Sequence, residues 1–88
     1  MSITYDTAKN ERNIALRGLS FDLVADLDWD SAIIREDTRR IYGEARFRVL
    51  GSIAGRLHMM VYTPRGGSVR VISLRRANGK EVQEWLKK

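Results

Sequence analysis

Eighty-eight residues, 43% of them apolar, make one domain with room for a modest core. Cysteine is absent and His58 is the lone histidine, which excludes disulfides, thiolate metal sites and a His–His acid–base pair within one chain. The net charge of +5 is uneven: residues 1–34 hold three basic groups against six acids, residues 35–88 thirteen against five, and ten of those thirteen are arginine. A basic half rich in the planar phosphate fork points to nucleic acid as the partner. No apolar run approaches the roughly 18 residues of a membrane span. The opening Met1-Ser2-Ile3-Thr4-Tyr5-Asp6 lacks the basic and apolar regions of a signal peptide. The expected setting is cytoplasmic, with no membrane contact.

Ser2 to Tyr5 alternates weakly, as a short strand does. Asp6 is a good N-cap for a helix over Thr7 to Arg17, which contains no Gly or Pro and carries a partial apolar stripe of Ala8, Ile14, Ala15 and Leu16. Gly18 falls where such a helix ends. Ser20 caps a second, shorter helix over Phe21 to Leu27, with Phe21, Val24 and Ala25 inward. Asp26 to Asp30 is an acidic connector around Trp29.

A run of strands comes next. Ala32 to Arg35 is the first, and Glu36 to Glu44 is a polar loop. Ala45 to Ile53 alternates, with Phe47, Val49 and Gly51 against Arg46, Arg48 and Leu50. Ala54-Gly55 is a two-residue turn. Leu57 to Thr63 is nearly all apolar, the mark of a central strand covered on both faces. Pro64-Arg65-Gly66-Gly67 turns the chain into Val69 to Leu74. The last helix runs from Gly79 to Lys87, with Val82, Trp85 and Leu86 inward and Asn78 and Glu81 at capping-box spacing. Strands joined by turns this short are antiparallel. The expected class is therefore α+β: two N-terminal helices, an antiparallel β-meander and a C-terminal helix, in one domain over residues 1–88.

Val69-Arg70-Val71-Ile72-Ser73-Leu74-Arg75-Arg76-Ala77 is the most informative stretch. It reads as a buried strand, central or next to the centre, that carries arginines and runs straight into a helix N-terminus; both features attract phosphate. In a regular strand Arg70 and Arg75 point to opposite faces. They share a site only if the chain bends near Leu74. The plain alternative is an edge strand with solvated arginines.

Several of these residues, taken together, resemble a known family. Asp6, Lys9, Asn10 and Asn13, then Gly18, Ser20 and Phe21, are similar to the opening of the BrnT family. Asp37, Tyr42-Gly43-Glu44 and Arg46 match its central signature. Gly51, Val61-Tyr62-Thr63 and Arg65 fit its next strands, and Arg70 to Ala77 with Glu81 fits its closing pattern. Two departures stand out: Leu16-Arg17-Gly18 replaces the family's Lys-His-Gly, and Leu74 and Trp85 replace a small residue and a tyrosine. The resemblance implies a RelE-like fold and a metal-independent endoribonuclease toxin of a type II toxin–antitoxin system. It also implies a ribbon-helix-helix (BrnA-like) antitoxin that neutralises the toxin and carries the complex to operator DNA.

Metal-free RNA cleavage needs a base for the 2′-OH, a donor for the leaving 5′-oxygen and cations for the crowded phosphate. Arg46, Arg70 and Arg75 are the candidates for the cations, with Arg48, Arg65, Arg76 and Lys80 as further RNA contacts. Glu44 is either a general base or the acid that orients Arg46, the latter favoured. Asp37 reads as a turn residue, and His58 and Tyr62 read as core side chains on the central strand. No metal or cofactor is expected. Two other readings use the same arginines: a non-catalytic nucleic-acid-binding module, and a domain that docks an acidic protein.

Overall fold

Leu57 to Thr63 lies where an apolar run must, in the middle of a sheet. In the computed structural model, which describes residues 2–88, five strands are ordered β1-β5-β4-β3-β2. They are β1 (Ser2–Tyr5), β2 (Ile33–Glu36), β3 (Phe47–Ile53), β4 (Arg56–Arg65) and β5 (Ser68–Arg76). Strands β2 to β5 form the expected antiparallel meander, with β5 beside the central β4. The Ala54-Gly55 turn joins β3 to β4 with both residues at positive φ, 50° and 78°, the backbone a tight hairpin requires.

Three expectations are corrected. The sheet is mixed, because β1 pairs with β5 in parallel, from Ser2 opposite Ser68 to Tyr5 opposite Val71. A parallel pair needs a long crossover, and here everything between β1 and β5 supplies it. Second, only one N-terminal α-helix forms, α1 (Thr7–Arg17); Phe21–Asp26 is a 3-10 helix. Leu27 ends it in an extended conformation and bridges Ile53, so the chain is drawn onto the sheet before a wider helix can develop.

Third, neither α1 nor the C-terminal helix is attached by the apolar face read from the sequence, whereas Phe21 and Val24 of the 3-10 helix are buried as expected. Leu16 is 74% exposed and Ile14 44%, and α1 buries Asn10 and Asn13 instead. Asn10 Oδ1 accepts from the Phe21 N–H at 2.8 Å. Asn13 Nδ2 donates to the Leu19 and Leu74 carbonyls, both at 2.9 Å. Ala25 is exposed on the 3-10 helix. On α2 (Gly79–Leu86) the buried residue is Glu81, while Val82 and Leu86 are exposed. The capping box does form, with Asn78 accepting from the Glu81 N–H and Glu81 from the Asn78 N–H.

The core lies between one face of the sheet and the 3-10 region. Val49, Ile53, Met60, Val69, Val71 and Leu74 meet Leu19, Phe21, Val24 and Leu27 there. Gly51 permits the close approach: a Cβ at that position would sit 2.9 Å from Leu27 Cδ1 and 3.2 Å from Ala32 Cβ.

Val69, Val71 and Leu74 cannot all face this core in a regular strand, since the side-chain period is two. They do so because β5 carries one extra residue. Tyr62 pairs with Val71 but its neighbour Val61 pairs with Ser73, which leaves Ile72 without a partner. Such a bulge bends the strand and re-aims the side chains beyond it.

Candidate functional site

The bulge decides which side chains share a face. Arg70 pairs with Thr63 and Arg75 with Met59. Thr63 and Met59 are four residues apart on unbulged β4, so they point the same way. Arg70 and Arg75 therefore lie on one face, the one opposite the core, and not on opposite faces as a regular strand would place them. Arg48, opposite Val61, and Arg35, opposite Arg48, join that face. The four-residue offset on β4 separates Arg70 from Arg75 by about 13 Å, so they occupy two sites.

The first site is a cavity of about 190 Å³ lined by Lys9, Glu44, Arg46, Arg65, Arg70 and Thr63, among others. Four separate segments supply its cations: α1, the entry to β3, the end of β4 and the first part of β5. Glu44 lies between two of them, 3.4 Å from Arg46 Nε and 3.2 Å from Arg65 Nη2. The Arg46 guanidinium also sits 4.1 Å above the centre of the Tyr42 ring, a cation–π contact. Thr63 Oγ1 donates to the Ala45 carbonyl at 2.7 Å and ties the loop before β3 to β4. Asp6 lines the cavity too, but its carboxylate caps α1, accepting from the Ala8 and Lys9 N–H groups. Among the described residues Arg70 and Lys9 have no carboxylate partner. The cavity is thus rich in cationic hydrogen-bond donors, the kind of group that binds anions.

The second site is a wider groove of about 780 Å³ along α2, lined by Arg35, Arg48, Arg75, Lys80, Glu81 and Glu84 among others. It is the larger of the two, yet its arginines already hold carboxylates. Arg75 makes a two-pronged contact with Glu81 at 2.8 and 2.7 Å. Arg48 lies 3.9 Å from the same carboxylate, and Arg35 pairs with Glu84. The hydrogen bonds that Arg75 donates hold the Glu81 carboxyl below its ordinary range, and the same bonds push Arg75 further up.

The sequence-derived candidates thus divide. The structure brings Arg46, Arg65, Arg70 and Glu44 together in the cavity. It places Arg75, Arg48 and Lys80 along α2, and Arg76, opposite His58, on the core-side face where it is exposed. His58 is 4% exposed, with its Nδ1 2.8 Å from the Arg56 carbonyl. Tyr62 stacks on Phe47 beside Trp29. Both are core residues, as read from the sequence. Lys9 is the residue the sequence reading did not put at the site. Its place in the opening motif was the available signal, but only the parallel β1–β5 pairing shows that the first turn of α1 reaches Arg70.

Among the described residues no three His, Cys, Asp or Glu side chains form a metal-sized cluster, and no helix is long and apolar enough to cross a membrane. No curated protein matches the chain. A family model described as the ribonuclease toxin, BrnT, of type II toxin-antitoxin systems matches residues 5–81, from the end of β1 into α2. That span takes in the whole sheet interior and every residue of the cationic cavity. The chain belongs to the BrnT family of ribonuclease toxins, which act on RNA and are held in check by an antitoxin.

Proposed function

We propose that this protein is a metal-independent endoribonuclease on a RelE-like scaffold, and that the cavity of Lys9, Arg46, Arg65 and Arg70 receives the scissile phosphate. In this reading the 2′-oxygen attacks the adjacent phosphorus and the 5′-oxygen departs. The charge that builds on the phosphate oxygens is met by guanidinium N–H groups already turned toward it, the effect that usually carries most of such catalysis. Arg70, half-buried and without a carboxylate partner among the described residues, binds the phosphate directly. Glu44 orients Arg46 and Arg65, since its two oxygens are already bonded to them. The arginines along α2, Arg48 and Arg75, with Lys80, extend the basic surface on which the RNA strand lies, whereas Arg76 stands on the other face of the sheet.

The observation that carries this reading is the convergence of four cations from four segments on one cavity, in a chain of a ribonuclease family. The available carboxylates there are Glu44, bonded to two arginines, and Asp6, bonded to a helix N-terminus. Neither is disposed as a metal ligand. Purified protein is expected to cleave RNA at an undiminished rate in excess chelator. Activity that vanishes with chelator and returns with a divalent ion would overturn metal independence. Binding without cleavage would favour the non-catalytic reading.

The antitoxin in this proposal is a BrnA-like ribbon-helix-helix protein in the cytoplasm. It covers the cavity with acidic contacts, pairs two toxins through its own dimer, and takes the complex to operator DNA. The exposed arginine face supplies the charge complementarity for such docking. A complex that cleaves RNA as fast as the free protein would rule out occlusion of the cavity.

A further inference from the structure

Resting on the reading of the cavity as the cleavage site, we propose that Asp37 is a positioning residue for Arg46, acting through the ring of Tyr42. The loop from Asp37 to Arg46 is closed at its base by the Asp37 N–H donating to the Arg46 carbonyl at 2.7 Å. Asp37 is 5% exposed although it stands in a polar loop. It accepts four hydrogen bonds: from Arg39 N at 3.2 Å, Arg39 Nε at 2.8 Å, Arg39 Nη2 at 2.8 Å and Tyr42 Oη at 3.1 Å. The bonds from Arg39 hold its carboxyl far below the ordinary carboxylate range, so the anion is present at any working pH.

Between Asp37 and Arg46 the loop's residues are exposed, Ile41 fully so, except for Tyr42, which is half-buried. A turn-forming aspartate has no need of a bond to Tyr42. An Asx turn uses the backbone bond from Arg39 alone. The additional bond to Tyr42 Oη fixes the tilt of the phenol, and the face of that ring carries the Arg46 guanidinium at 4.1 Å. Glu44 contacts only the edge of Arg46, at a long 3.4 Å. The ring is therefore the surface that sets the plane of the guanidinium fork, and Asp37 sets the ring. Arg46 enters the cavity with its N–H groups already oriented, so less side-chain freedom is lost when a phosphate binds.

The test compares Asp37→Asn, Tyr42→Phe and Tyr42→Leu with the parent. Its first readout does not involve RNA: the NMR shift of the Arg46 Nε–H group, which the Tyr42 ring current displaces. Asp37→Asn and Tyr42→Leu are expected to move that signal toward an unstacked arginine. Tyr42→Phe, which keeps the ring and loses its tether, is expected to fall between. The second readout is cleavage, with Asp37→Asn made in the parent and in Arg46→Ala. A drop of about tenfold in kcat in the parent, shrinking to less than about twofold in Arg46→Ala, is the signature of a residue acting through another. Equal losses in both backgrounds, or an Arg46 signal that Asp37→Asn leaves in place, would overturn the positioning role. Arg46→Ala that cleaves at the parent rate would overturn the reading of the cavity, and this inference with it. Tyr42→Phe keeps the NMR test available should Asp37→Asn fail to fold, since it keeps the ring and removes only its bond to Asp37, and an Arg46 signal that it leaves in place would overturn the positioning role.

Discussion

Arg70→Ala is expected to lower RNA cleavage by about 10²–10³-fold, the cost of removing one preorganised contact to a charged transition state, roughly 2.7–4 kcal/mol. The thermal midpoint should move by no more than a few degrees. Arg70 is half-buried, it faces away from the core, and among the described residues no carboxylate depends on it. Its removal therefore leaves no buried charge uncompensated. Arg75→Ala is the natural contrast. Arg75 grips Glu81, the buried residue of α2, and that carboxylate also caps the helix. Losing it releases a largely buried acid and the helix with it, so stability and cleavage should fall together. The two measurements that separate these cases are the melting curve and the single-turnover rate on RNA. If Arg70→Ala melts and cuts like the parent, the phosphate binds elsewhere.

The largest effect on stability is expected at a polar residue. Asn13→Ala removes a side chain that is 8% exposed and that satisfies two carbonyls at once, Leu19 at the end of the α1 connection and Leu74 on β5. Alanine can offer neither donor. Each orphaned buried acceptor costs about 1–3 kcal/mol. Two of them, in a domain this small, correspond to a fall in midpoint of at least about 10 °C. Ile14→Ala, one position along the same helix, should move the midpoint by only a few degrees, because Ile14 is 44% exposed. A ranking by hydrophobicity gives the reverse order, so heat denaturation of the two variants decides between the accounts. Asn13→Ala melting with the parent would show that the Asn13 bonds do not hold α1 to the sheet.

Local signals were readable in the sequence because they act over a few residues. Asp6, Ser20 and Asn78 cap the segments they were expected to cap, Gly18 ends α1, and the apolar run of β4 is central. What failed depends on distant partners. Nothing near Ser2 to Tyr5 says that its neighbour lies more than sixty residues on and runs parallel. Ile14 and Leu16 have the apolar character of an inner face, but α1 docks through amides, and two asparagines in a helix ordinarily read as surface. Ile72 sits among Val71, Ser73 and Leu74, where apolar residues on both sides of the strand hide the extra residue. The site shows the same division. Arg46, Arg65 and Arg70 could be picked out as motif residues, whereas their separation from Arg75 and the arrival of Lys9 depend on strand register and on the placement of α1.

The unpaired residue on β5 also gives the spacing of its arginines a parity. Five positions separate Arg70 from Arg75, an odd interval that a regular pleat would put out of phase, and a single unpaired residue brings it back. The two halves of the strand thus keep separate rhythms: the first turns Val69 and Val71 inward, the second Leu74. Substituting one residue in this interval changes one side chain. Changing its length by one inverts everything on one side of Ile72, sending an arginine toward the core and a core leucine toward solvent. Residue count, more than residue identity, is what the strand between Arg70 and Arg75 has to keep.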